Sequence, residues 1–167
     1  MTKNIHLTSL FFFLIFLQVL ILNNIKLFDH INPYLYISFI FIYPFKKNRF
    51  PILTLSFLLG LFVDFFSNSG GIHALASLFI AFIRIYFFKI IFQKNEDDFD
   101  FFSLKEEAFG KVFNFTVILT LTHHFLLFSL TNFSFNNFTN TITNTLLSSV
   151  FTLTLYFLGR FIFSNKK

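Results

Sequence analysis

Six apolar runs, at 5–22, 31–45, 50–66, 72–92, 109–130 and 142–163, take up most of this chain, with short polar stretches between them. Five of them hold 17 to 22 residues, long enough as helices to cross a hydrocarbon core of roughly 30 Å. The second holds only 15, which suits a thin, tilted or partly re-entrant span. A soluble domain could not absorb this pattern. The chain has 167 residues, 55% of them hydrophobic and 33 of them Phe, and a soluble fold of that size has too little interior to hide them. The expectation is an all-α integral membrane protein, one polytopic domain over 1–167 with about six transmembrane helices.

Charge then reads as topology. The formal net charge is +5, but the basic residues lie between apolar spans, which is a membrane pattern and not a nucleic-acid surface. With the N-terminus in the cytoplasm, Lys3, Lys46, Lys47, Arg49, Lys89, Lys94, Lys105, Lys111, Arg160, Lys166 and Lys167 fall on or near the cytoplasmic side, and Lys26 falls outside. That asymmetry predicts cytoplasmic N- and C-termini. There is no cysteine, hence no disulfide framework and no thiolate metal site. No cofactor or metal is expected, and no G-x-S-x-G, H-E-x-x-H or Walker A sequence marks an enzyme.

Several local features add expectations. Asn23-Asn24-Ile25-Lys26 follows the first run where a signal peptide would carry small residues, so 5–22 reads as a span. His6 and Gln18 sit near its ends, where polar groups reach water. Pro33 suits a first helical turn, and Tyr34, Tyr36 and Tyr43 read as rings at headgroup level. Six of the eight acidic residues fall in 93–108. There Ser103-Leu104-Lys105-Glu106 matches a capping box and predicts a helix running into span five. Asn132 and Asn137 open Asn-x-Ser/Thr sequons, which matter only in a secretory eukaryotic setting.

Specificity is expected in the hairpin 51–92, where two apolar runs flank Ser67-Asn68-Ser69-Gly70-Gly71. Gly60, Asp64, Gly71, His73 and Arg84 stand out in or beside hydrocarbon-length runs. Gly60 and Asp64 are four apart and share a helix face, and a glycine there lets a second helix come close. Asp64 has two readings: an interfacial carboxylate that reaches water, or a contact to a partner or another helix. Arg84 lies roughly 18 Å along span four, at a depth that does not match Asp64, and reads as snorkelling toward the cytoplasmic face. His73 is expected to cap or hydrogen-bond the turn. His123 and His124 are adjacent, so they point about 100° apart and cannot chelate one ion in the i, i+4 manner. One of them is expected to face the bundle and bond a backbone or hydroxyl group, with a proton relay or a metal site as the alternative.

The stretch FLLGLFVDFFSNSGGIHALA, at 57–76, resembles the signature of the MreD family of rod shape-determining proteins. Ile31-Asn32-Pro33-Tyr34 with Tyr43-Pro44 is similar to that family's second span, and Ile80-Ala81-Phe82-Ile83-Arg84 to the end of its signature region. His123-His124-Phe125, Phe133-Ser134-Phe135 and Ser149-Val150-Phe151-Thr152 resemble its C-terminal half in the version seen in Bacteroidetes. Two departures stand out: Ile85 where related sequences often continue with proline, and Thr131-Asn132 where an acidic residue is often found.

The resemblance implies a bacterial inner-membrane scaffold of the cell-elongation machinery, needed for rod shape and lateral peptidoglycan synthesis. It implies docking to an MreC-like bitopic protein and, through it, to MreB filaments, RodA and a class B penicillin-binding protein, with lipid around it and no catalytic activity. It also implies a bundle like the membrane S-components of vitamin transporters. The rival expectation is a small-molecule transporter or substrate-binding membrane subunit.

Overall fold

The structure, a computed structural model, describes residues 2–25, 31–132 and 138–164. These residues are almost entirely helical. α1 (Thr2–Phe16) runs on through a π-helical turn (Leu17–Ile21) and a 3-10 turn (Leu22–Asn24). A 3-10 turn (Leu35–Ile37) leads into the short α2 (Ser38–Ile42). The hairpin α3 (Phe50–Ser67) and α4 (Ile72–Phe92) follows, then a 3-10 turn (Glu96–Phe101), α5 (Phe109–Asn132) and α6 (Phe138–Ser164). Among the described residues five helices are long and apolar enough to cross a membrane: Ile5–Asn24, Phe50–Ser67, Ile72–Phe92, Phe109–Asn132 and Phe138–Phe163. The chain is thus a membrane-embedded helical bundle. α4 and α5 form its middle, 44% and 50% buried, and α1 and α6 its flanks, 28% and 22% buried. The flanking faces carry Phe12, Phe13, Leu146, Val150 and Phe161 outward, as helices solvated by acyl chains do.

The expected span at 31–45 is corrected. It crosses the bundle, but not as a spanning helix. Asn23 Nδ2 donates to Ser67 Oγ at 2.8 Å, so α1 and α3 end together and run parallel. The chain between them must therefore return to the start of α3. It does so through the interior. Tyr36 lies against His73 near the start of α4, and Phe45 packs on Phe88, centroids 4.2 Å apart, near its end. Fifteen helical residues would reach only about 22 Å, so the segment combines extended backbone with two short helical turns. The proline after Tyr43 ends α2, because the residue before a proline disfavours helical backbone, and Tyr43 adopts φ −56°, ψ 132°. Irregular backbone at this depth is tolerated only when enclosed in protein. Tyr36, Ile37, Phe39, Ile40 and Phe41 are at most 1% exposed, and their rings touch α1 through Phe11 and α6 through Tyr156.

One end of the bundle is polar but uncharged at its described turns, with Asn23, Asn24, Ser67, Asn68, Ser69 and Asn132. The other gathers Lys46, Lys47, Arg49, Lys94, Lys105 and the acidic stretch. The capping box at Ser103 makes only a turn, with Glu106 N–H donating to Ser103 O at 3.1 Å, and the helix starts at Phe109. A capping box forms instead at Asn95 and Asp98. The acidic stretch folds back onto the basic loop: Lys47–Asp97 at 2.8 Å, Arg49–Glu96 at 2.7 Å, Lys89–Glu96 at 3.1 Å, and Lys94–Glu107. The hydrogen bond from Lys89, then Arg49, holds Glu96 below the usual carboxylate range, and Lys47 does so for Asp97. Carboxylates held low stabilise the fold above their unfolded values and lose that contribution as pH falls through the folded ones. These pairs therefore weaken only below about pH 4.5, and their exposure keeps their weight small. Asn137, Lys26, Lys166 and Lys167, which carried sequence expectations, lie outside the described residues.

Candidate functional site

The polar residues of the α3–α4 hairpin form one clamp. α3 ends at Asn68 in the left-handed region, φ 53°, and Gly70 and Gly71 continue the turn at φ 67° and 94°. This returns the chain as α4 beside α3. The first N–H groups of a helix have no partner within it, and at this depth water does not supply one. Asp64 does. Its Oδ1 accepts from Ser69 Oγ at 2.6 Å and from His73 N–H at 3.0 Å, and its Oδ2 accepts from Ala74 N–H at 2.7 Å. An acidic side chain is also favoured at the positive end of the α4 dipole. Asp64 is 4% exposed, so it does not sit in water as an interfacial carboxylate; it contacts a neighbouring helix. Gly60 lies one turn lower on the same face. A Cβ there would come within 2.6 Å of Ala74 Cα and closer still to the His73 carbonyl. Gly60 sets the approach that Asp64 then caps.

A second set of polar groups holds the buried segment 31–45, whose irregular backbone leaves donors and acceptors unpaired. Gln18 Nε2 donates to Pro33 O at 2.9 Å and its Oε1 accepts from Tyr36 N–H at 3.4 Å. Thr152 Oγ1 on α6 accepts from Tyr34 N–H at 2.9 Å. Arg84 Nη2 donates to Tyr43 O at 2.6 Å. Three helices thus each contribute one side chain to satisfy this segment's backbone.

The Tyr36 hydroxyl joins the histidines into a chain. It lies 2.9 Å from His73 Nδ1 and 3.0 Å from His123 Nε2. His123 Nδ1 is 3.4 Å from His124 Nδ1. His124 Nδ1 is 2.9 Å from Thr120 O, and its Nε2 is 3.1 Å from Thr152 Oγ1. With the three imidazoles neutral, one arrangement of protons satisfies every contact. A carbonyl only accepts, so His124 carries its proton on Nδ1 and Thr152 donates to its Nε2. The lone pair of His123 Nδ1 then faces that N–H, which puts the His123 proton on Nε2, donated to the Tyr36 oxygen. Tyr36 passes its own hydrogen to His73 Nδ1. Replacing Tyr36 with phenylalanine should leave His73 and His123 facing one another unpartnered. The expected cost is about 1–2 kcal/mol, read as a lower melting temperature of the purified protein with unchanged helical content.

The structure places the sequence candidates in two groups. Gly60, Asp64, Gly71 and His73 form the clamp, and His73 also joins His123 and His124 through Tyr36. Arg84 lies apart, toward the charged end. It does not snorkel: it is 3% exposed, because the Tyr43 carbonyl beside it is free to accept and the Phe45 ring lies 3.9 Å from its guanidinium carbon. Both His123 and His124 are buried, not one, because α5 lies between α4 and α6 and two adjacent faces of it are covered. Gln18, Tyr36 and Thr152 were named in the sequence reading but not as site residues, Thr152 only as a residue available for close helix contact. Gln18 and Tyr36, both placed at the membrane surface by the sequence reading, are fully buried. A glutamine inside an apolar run was the available signal.

Among the described residues no three His, Cys, Asp or Glu side chains converge as metal ligands. What the arrangement does chemically is fix helix register and orient protons along one hydrogen-bonded chain. Fold and site together define a polytopic helical membrane protein with a buried crossing segment that is not one continuous helix. No protein-family model, no curated protein and no solved structure matches the chain.

Proposed function

We propose that this protein is an inner-membrane scaffold of the bacterial cell-elongation machinery, oriented with its basic end in the cytoplasm, which docks the single membrane helix of an MreC-like bitopic partner. The resemblance over 57–76 supports the assignment to lateral wall synthesis, and the basic end supports the orientation through the positive-inside rule. RodA, MreB filaments and a class B penicillin-binding protein join through the partner.

The observation that carries the docking role is a groove along α5 and α6. It is open on the exposed face of these helices, has a volume of about 520 Å³, and is lined by Phe109, Phe113, Val150, Leu153, Phe157 and Phe161 among others. The polar clamp and the histidine chain serve the inside of the bundle, so the apolar groove is the surface shaped to receive a helix. Helices in lipid associate by close packing and not by apolar burial, so filling the groove should block docking. Leu153→Trp is expected to cut crosslinking to the MreC-like protein at least tenfold at unchanged membrane level and melting temperature. Crosslinking at the wild-type level would contradict docking in this groove.

A further inference from the structure

Arg84 is a fully buried cation without an anion. Only its Nη2 is used, on the Tyr43 carbonyl, and Nε and Nη1 have no acceptor among the described residues. A buried charge normally pairs with a counter-charge. Glu96, at this end of the bundle, is already taken by Arg49 and Lys89. Arg84 lines a small cavity of about 20 Å³ whose wall also holds Lys46 and Arg49, with Pro44, Ile52 and Ile85 in its apolar part. That volume admits one oxygen-sized atom. Lys46 makes no ion pair among the described residues.

We propose that this cavity is an oxyanion site, in which one oxygen of a phosphate group reaches Arg84 while Lys46 and Arg49 hold the rest of the group at the mouth. Arg84 lies roughly 12 Å along α4 from its last residue, below the charged loops and beside apolar side chains. A phosphate that reaches it from the bundle surface is best supplied by an anionic phospholipid. Arginine suits the role because its planar fork of donors matches phosphate oxygens.

The test uses the purified full chain in lipid nanodiscs. Wild-type protein should melt several degrees higher in phosphatidylcholine discs doped with phosphatidylglycerol than in phosphatidylcholine alone, as expected for a ligand that binds only the folded state. Arg84→Met should abolish that shift; it also leaves the Tyr43 carbonyl unpaired, so the shift is read against the variant's own melting temperature in phosphatidylcholine. Lys46→Glu, at an exposed position, should cut the shift at least by half even if Arg84→Met fails to fold. Inorganic phosphate added to phosphatidylcholine discs separates the sources: the same Arg84-dependent shift supports the oxyanion site with a soluble ligand, and no shift supports the lipid. A doped-disc shift that survives Lys46→Glu, or no shift in wild type with either probe, would overturn the proposal.

Discussion

Asp64→Leu is expected to lower the melting temperature of the purified protein by on the order of 10 °C, from a loss of about 2–4 kcal/mol. The substitution removes the acceptor for two backbone N–H groups, His73 and Ala74, and for the Ser69 hydroxyl. Each unpaired donor costs about 1–3 kcal/mol when buried, and neither can turn to another partner because α4 fixes their direction. Asp64→Asn keeps an acceptor oxygen at one position and should lose roughly half as much. The two variants separate a cap from a surface contact: a side chain that only met a partner would leave both melting curves unchanged.

Gly60→Ala should cost about 3 kcal/mol for a different reason. The added methyl collides with the His73 carbonyl and Ala74 Cα, which are backbone atoms, so no rotamer change relieves it. α3 and α4 must part, and the Asp64 bonds lengthen as they do. Gly159→Ala is the internal control. Nothing lies within 4 Å of a Cβ at Gly159, and alanine is the better helix former by about 1 kcal/mol, so this variant should melt at or above wild type. Thermal melting of the three proteins side by side reads the comparison; equal melting temperatures for Gly60→Ala and wild type would mean the helices are not in contact there.

The five long helices were legible because unbroken apolar runs and polar breaks leave few alternatives. The run 72–92 coincides with α4. The run beginning at 142 starts too late, because Thr139 and Thr141 read as a polar loop although their carbonyls accept the hydroxyls of Thr143 and Thr145 within α6. The shared face of Gly60 and Asp64 followed from spacing, but the partner backbone at His73 and Ala74 did not. Segment 31–45 was misread because a short apolar run between prolines has the same composition whether it meets lipid or lies inside a bundle. Its tyrosines looked like headgroup rings for the same reason. Arg84 was misplaced because its acceptor, Tyr43 O, is 41 residues away in sequence. Gln18 is buried within a π-helical turn, a backbone feature that apolar periodicity does not report.

These features connect the interior to the proposed role. A bundle in which Gln18, Arg84 and Thr152 hold one buried crossing segment keeps its register, and a fixed register holds the α5–α6 groove in shape for a partner helix. The decisive measurement is a crosslinked pull-down of the protein from native membranes, with mass spectrometry of what is recovered. Recovery of MreC-like, RodA-like and penicillin-binding proteins is the predicted result; an ATPase pair or transport module in their place would contradict the scaffold.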